Sequence, residues 1–486
     1  MLILTLLGLS MVNALFCLVS YKLKNFDIMQ IIGSFLLLVG AVFIALFINQ
    51  SNVITLFDNF IYIDALSSIN LVLIATVGFT ASIYSVGYMR AELAHDIISL
   101  KKLGFYYCFF HLFILSMLLV TIFNNLGLLW VGIELTTLIS AMLVAFYGNK
   151  HSLEAAWKYL IMGVVGIALA LLGIVFIYLS GLTVLLEEQS ALQWTNLLSV
   201  AGQLNAEWVK VGFIFILIGF GTKAGLAPMH FWLPDAHSQA PAPISAVLSG
   251  VLLNTALYGV LRVYIIAKAV IPEIATTYLI CFGLLSIIAI VPFVFVQHDL
   301  KRLLAFSSVE HIGIITLAMG VGGSLGLYGG LLHMVNHSLG KSLLFFAAGT
   351  ITQQYHSKYI ARISGVIKSM PYTGVIFLIS SLAIAGAPPF SLFISEFTIM
   401  LGCIKSGKLW LGCLFAVLVA IIFSGMSYYV IRMVFGEEPK KAKNIKEDSW
   451  TIVAMLLPLL LVIVGGLYVL PFIQQAVIMA ATVIGV

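Results

Sequence analysis

Long apolar runs separated by short polar segments dominate the chain. A helix needs about 20 mostly apolar residues to cross a hydrocarbon layer. Runs of that length lie near 2–20, 28–48, 64–87, 104–123, 126–147 and 157–180. Further runs fall near 208–238, 243–268, 272–296, 300–320 and 325–351, then near 372–402, 408–433 and 450–475. The pattern predicts an all-α polytopic membrane protein with about fourteen transmembrane helices. Because the first run starts without a basic segment before it, it reads as a retained span, not a cleaved leader.

Composition narrows the choice of function. The 486 residues are 62% hydrophobic and 9% charged, against about 25% charged in soluble domains. A water-facing globule and a disordered chain are both excluded. The net charge of +5 comes from short Lys/Arg tracts between apolar runs, so no basic face for nucleic acid exists. Cys17, Cys108, Cys281, Cys403 and Cys413 all lie inside apolar runs without CxxC spacing. They predict no disulfide scaffold, metal site or iron–sulfur centre in this chain. No nucleophile–base pair is evident, and Gly219-Phe-Gly-Thr-Lys223 lacks the order of a phosphate loop. No catalytic site is therefore expected.

The distribution of positive charge orients the spans. Loops after odd-numbered spans hold 17 of the 24 Lys and Arg residues, among them Lys22, Lys24, Arg90, Lys101, Lys102, Lys358, Lys440, Lys441, Lys443 and Lys446. Those loops face the cytoplasm by the positive-inside rule, which puts both termini outside.

Charges inside the spans are the candidate chemistry. Glu134, Glu310, Glu396, Lys223 and Lys341 fall well within apolar runs. Each costs at least about 2.5–3.5 kcal/mol at the bilayer centre unless it is paired, hydrated or faces the bundle interior. Structural ion pairs are one reading. A relay for protons or ions is the preferred one, because ordinary polar glue between membrane helices needs no full charges.

Two spans carry helix breakers in similar places. Gly221, Gly225 and Pro228 bracket Lys223, while Gly386, Pro388 and Pro389 precede Glu396. Broken backbone at membrane depth is tolerated where it is buried or lines a wet cavity, and paired breaks mark inverted-repeat transporters. Glu134 and Lys223 stand 89 positions apart, and Glu310 and Glu396 stand 86 apart. The spacing predicts three N-terminal helices (1–103), a five-helix repeat (104–268), an inverted second repeat (269–433), and a cytoplasmic loop with a last helix (434–486).

His333, His337 and Lys341 recur every four residues, so they share one helix face. A metal pair would need a third ligand from another helix, and Lys341 one turn away opposes it. A structural pair and a proton wire are the other readings. Imidazole both donates and accepts a proton near neutrality, which favours the wire.

The run Lys223–Pro243, KAGLAPMHFWLPDAHSQAPAP, together with Glu134, the His333/His337/Lys341 stripe and the interrupted span twelve, resembles the antiporter-like proton-translocating membrane subunits. These belong to respiratory complex I, Mrp-type antiporters and energy-converting membrane hydrogenases. FSSVEHIG (306–313) and SLEAAWKY (152–159) are most similar to the hydrogenase-4 F-type subunit. The resemblance implies two inverted five-helix bundles in a prokaryotic plasma membrane. It also implies partner membrane subunits and a peripheral hydrogenase or oxidoreductase arm carrying the NiFe and Fe–S centres, with no cofactor in this chain. Protons are the implied cargo, with Na⁺ exchange left open.

By the same resemblance Glu134 and Lys223 form an entrance ion pair, Lys341 is the central switch, and Glu396 is the terminal group. Asn254 replaces the Lys or His of several relatives, so the link from Lys223 to His333 is expected to run through water, helped by His230. Glu154 and Lys158 either pass the field change onward or form an ordinary surface pair. A complex I or Mrp subunit is the alternative branch. A stand-alone solute transporter would need a clustered pocket, whereas these charges lie in a line. A plain membrane anchor leaves the five buried charges unexplained.

Overall fold

The computed structural model describes residues 2–23, 25–51, 53–437 and 447–485. Lys24, Lys440, Lys441, Lys443 and Lys446 of the charge tally lie outside the described residues, as does part of the loop expected to open the segment 434–486.

The chain is a bundle of helices. It begins with α1 (Leu2–Ser20), α2 (Phe26–Ser51), α3 (Ala65–Ala94), α4 (Leu100–Ile122), α5 (Leu126–Val144), α6 (Lys150–Leu185) and the short α7 (Trp194–Ser199). Next come α8 (Ala206–Ala224), α9 (Trp232–Gln239), α10 (Ala242–Val247), α11 (Leu253–Val270), α12 (Pro272–Phe295), α13 (Leu300–Val321) and α14 (Gly323–Gln354). The last are α15 (Val366–Ser369), α16 (Pro371–Ile384), α17 (Ser391–Lys405), α18 (Leu409–Phe435), α19 (Ser449–Leu467) and α20 (Pro471–Ile484). A two-stranded antiparallel hairpin, β1 (Ile54–Leu56) and β2 (Ile61–Ile63), precedes α3.

Among the described residues, eleven helical stretches are long and apolar enough to cross a membrane, with Ala242–Val270 counted as one. The expected runs outside that set are the polar-diluted ones. The first is α8, with Glu207, Lys210 and Lys223; the second is α14, with its His/Lys stripe; the third is the broken pair α16 and α17. Short side chains on the preceding residue set several helix starts: Asp64, Ser99, Asn125, Asn149, Asn205 and Asp299 each accept from a backbone N–H of the first turn.

The structure revises three boundaries. The last run does not continue to 475, because Pro471 starts a separate helix after a break at Tyr468–Leu470. Gly221 is helical, and the break of span seven begins at Gly225. The sixth span runs 36 residues, past its expected end at 180.

Both breaks are built the same way. At the end of α8, Gly225 adopts φ +83°, and the Leu226 N–H donates to the Gly221 carbonyl at 2.8 Å. At the end of α16, Gly386 adopts φ +80°, and the Ala387 N–H donates to the Leu382 carbonyl at 3.0 Å. These are glycine-terminated Schellman caps, with prolines just beyond that cannot continue the helix. At the two breaks it is Gly225 and Gly386 that take the left-handed conformation.

Small residues bring helices close where the site is built. A β-carbon at Gly219 of α8 would meet the Gly166 carbonyl of α6 at 2.4 Å. Likewise, one at Gly283 of α12 would meet the Leu317 nitrogen of α13 at 2.5 Å. Glycine at such contacts permits the close approach that holds membrane helices together.

Candidate functional site: a buried line of ionisable side chains

Lys223 sits in the last turn of α8, just before the break, and is 1% exposed. The tight α6–α8 contact brings the α6 face to it. Its Nζ donates to Thr137 Oγ1 of α5 at 3.0 Å and to the Tyr159 hydroxyl of α6. The ammonium also lies 4.5 Å from the centre of the Tyr159 ring. Ser140 stands 2.6 Å from the same hydroxyl, and Trp232 packs 4.6 Å from the Tyr159 ring, with its indole N–H donating to the Thr222 carbonyl. The cage gives a buried ammonium neutral oxygen acceptors and an aromatic face.

Glu134 is half-buried on α5, one turn before Thr137, and one of its carboxylate oxygens has no hydrogen-bond partner. Among the described residues, no ion pair within 4.0 Å joins it to Lys223. Thr137, which accepts from Lys223, lies one turn along α5 from Glu134 and is its polar neighbour. The two charges therefore act on each other at a distance, without direct contact.

The second cluster is denser. His333, His337 and Lys341 lie on one face of α14, and all three are fully buried. Lys341 Nζ donates to the Leu304 carbonyl at 3.0 Å and to Ser307 Oγ, both on α13. Glu310 of α13 is buried with Lys341 as its charged neighbour. His311, the next residue, places Nδ1 3.0 Å from His333 Nε2, while His333 Nδ1 lies 2.9 Å from Ser395 Oγ of α17. Glu396 follows Ser395 and is 6% exposed. The His337 ring lies 5.3 Å from the His311 ring, tilted by 42°, and neither of its ring nitrogens has a hydrogen-bond partner. A file of titratable groups thus runs Lys341, Glu310, His337, His311, His333 and Glu396 across three helices.

His311, His333 and Glu396 bring their ligand atoms within 4.8 Å of one another, so the third metal ligand absent from the sequence pattern is present. Both nitrogens of His333 are already engaged, however, by His311 and Ser395. With Lys341 on the same helix face, the donor set suits a proton relay better than a cation site.

Four of the expected residues stand apart from these clusters. His230 is buried among Phe231, Phe293 and Phe306, with no hydrogen-bond partner on either ring nitrogen. Asn254 follows a π-helical turn at Leu248–Leu252, and its amide donates to Ser338 Oγ at 2.8 Å and to the Gly250 carbonyl at 3.1 Å. It therefore touches α14 between His337 and Lys341. Glu154 and Lys158 form an exposed ion pair at 2.7 Å, and Lys158 continues to Asp235 at 3.1 Å, which also binds Arg302.

The sequence pattern overlooks several groups. His311 adjoins Glu310 inside an apolar run and is as legible as the stripe, but it has no partner at helical spacing. Tyr159, Thr137, Ser307 and Ser395 look like ordinary membrane-helix residues. Arg262, within the eighth span, is a further buried charge: it pairs bidentately with Asp64 at 2.7 Å, with the two side chains 3% and 1% exposed. Lys301 and Glu92 are also buried.

A polytopic helical bundle with two glycine-capped breaks and an interior file of Lys, Glu and His defines a class: membrane proteins that carry charge through their interior. The transmembrane family described as NADH:quinone oxidoreductase/Mrp antiporter matches residues 123–424, and the complex I chain 5 N-terminal family matches residues 57–95. The chain belongs to this antiporter-like proton-translocating subunit family.

It is 40% identical over 457 residues to the hydrogenase-4 component F homolog of Methylacidiphilum infernorum, covering 93% of each chain. It is 33% identical over 346 residues to hydrogenase-4 component B of Escherichia coli, spanning 68% of this chain and 49% of that one. Among solved structures, a chain of the membrane-bound sulfane sulfur reductase, an archaeal respiratory membrane complex, superposes with a TM-score of 0.88 at 25% identity, covering 99% of this chain and 97% of that one. A chain of the Mrp complex from Dietzia sp. shares the fold with a TM-score of 0.86 at 18% identity, covering 100% and 97%.

Proposed function

We propose that the chain translocates protons as one membrane subunit of a redox-driven complex of the hydrogenase-4 kind. The observation that carries this reading is the cluster of buried, exchangeable groups on α13, α14 and α17, in which His311, His333 and Ser395 form a hydrogen-bonded run flanked by Lys341, Glu310 and Glu396. Isolated helix locks need only pairs. Two imidazoles and a hydroxyl at hydrogen-bond distance, with His337 packed beside them, suit proton hopping through the gaps that internal water fills.

Lys223 in its cage is the loading point of the first half, Lys341 the switch, and Glu396 the terminal group. A carboxylate nearing a buried lysine stabilises the charged form, and its withdrawal releases the proton. Movement of Glu134 relative to Thr137 and Lys223 is therefore the coupling event, driven by a partner's exergonic electron transfer. The two five-helix units, 104–268 and 269–433, are read as inverted repeats, with the paired Schellman breaks supporting that division. Asn254 hands protons on through water, with His230 as a nearby aromatic-packed accessory.

The partners in this reading are further membrane subunits and a peripheral hydrogenase arm that holds the NiFe and Fe–S centres. The complex lies in a prokaryotic plasma membrane with both termini outside, as the Lys/Arg tally implies. A second reading, a cation/proton antiporter subunit exchanging Na⁺, is favoured by 30% identity over 84% of the chain to a Na⁺/H⁺ antiporter subunit A1 of Staphylococcus haemolyticus, of which it spans 52%.

The test is reconstitution of the assembled complex with Lys223→Ala. Proton pumping should be lost while electron transfer at the partner's metal site persists; full pumping would contradict the reading.

A further inference from the structure

Asn254 leaves the first half of the chain without a titratable group on α11 facing the α14 stripe. A separate buried cluster reaches that stripe from the Lys/Arg-rich face. His237, on α9 beyond the first break, is fully buried, and its ring stacks on Phe345 of α14 at 5.0 Å. Phe345 lies one turn beyond Lys341 on the same helix face. Neither ring nitrogen of His237 makes a well-aligned hydrogen bond, the Ser245 backbone being its nearest polar group, and its charged neighbours are Lys341 and Lys301. Buried polar atoms without a protein partner are normally satisfied by internal water.

Lys301, in the first turn of α13, is 6% exposed and donates to the Ala240 carbonyl at 2.9 Å, three residues past His237. Asp299, Lys358 and Glu92 are its charged neighbours. Glu92 is buried in the last turns of α3, accepting from Gln353 Nε2 of α14 at 2.8 Å and contacting Tyr147. The ends of α3, α13 and α14 meet here, beside Lys102 and Lys358, on the side the charge tally assigns to the cytoplasm. None of these three residues is used by the Glu134–Lys223 site.

We propose that Glu92, Lys301 and His237 form a second proton inlet, which loads Lys341 directly from the Lys/Arg-rich face and bypasses Asn254. The inference rests on the proton-conduit reading and names where its second half draws protons. The rival account has two parts. The cluster is polar glue, and protons reach α14 only by way of Lys223 and Asn254.

The experiment measures pumped protons and uncoupled electron transfer in the complete complex, reconstituted in vesicles, for His237→Gln, Glu92→Gln, Glu92→Asp, Asn254→His and Lys223→Ala. The inlet predicts that His237→Gln and Glu92→Gln each lower pumping by about tenfold or more, with electron transfer intact. Glu92→Asp keeps the carboxylate and should retain most of the pumping, and Asn254→His should bring no gain. Equal damage from Glu92→Asp and Glu92→Gln would overturn the inlet in favour of glue. Wild-type pumping by His237→Gln beside an inactive Lys223→Ala would overturn the inlet alone. Full pumping by Lys223→Ala with an inactive His237→Gln would uphold the inlet and count against the Lys223 route.

Discussion

The carboxylate of Glu396 packs against the α-carbon of Gly386, so a β-carbon there would lie 2.2 Å from Oε2. The break in span twelve and the terminal charge are thus one construction. Gly386 also holds φ +80°, where an L side chain costs about 1–2 kcal/mol. Gly407 has φ +74° but nothing within 4 Å of its added β-carbon. Gly407→Ala should cost only the backbone term, whereas Gly386→Ala should cost more and displace Glu396. Thermal unfolding and pumping of the two variants check this, and equal behaviour would contradict it.

Glu396→Gln keeps the shape and removes the titrating oxygen. It should block proton release from the second half while leaving uptake by the first. Proton uptake and release measured on opposite sides of oriented vesicles separate the two, and unchanged release would refute the assignment.

Arg262 and Asp64 form a buried bidentate pair that ties the start of α3 to α11, and the guanidinium lies 4.5 Å from the Trp194 ring centre. Removing one partner strands the other charge. Arg262→Ala should destabilise the chain by about 3–5 kcal/mol, and the double change Asp64→Asn with Arg262→Met should recover much of the loss. Denaturation of the purified complex reads both. By contrast, Glu154→Gln breaks an exposed, solvent-screened pair and should leave the denaturation midpoint essentially unchanged at low and at high salt.

His311 bonds His333 and packs against His337, one turn before Lys341 on α14. His311→Phe keeps a ring in the same space and removes both nitrogens. A loss of pumping of about tenfold or more, with assembly unchanged, is the expected outcome. Pumping at the wild-type rate would show that protons pass without it.

Much of this was legible in the sequence, for physical reasons. Length and apolarity mark spans in a bilayer, glycine and proline mark where helices stop, and a charge inside a span is costly enough to notice. These cues locate Lys223, Lys341, Glu396 and both breaks. Periodicity finds the His333 stripe because its members share one helix. It cannot find Tyr159, Ser307 or Ser395, whose roles come from other helices packing close through glycines. Glu134 and Lys223 illustrate the same limit: spacing places them near each other, but the Thr137 hydroxyl that accepts from Lys223 is a matter of packing. Arg262 is as visible as the other charges, but its partner Asp64 opens a span far away in sequence, and only packing brings the two together.

The central claim is that Lys341 passes protons through the file and is not merely a lock between α13 and α14. Its most direct test is the proton-to-electron ratio of the reconstituted complex carrying Lys341→Ala. A fall in that ratio with electron transfer and assembly preserved is predicted; an unchanged ratio would contradict it.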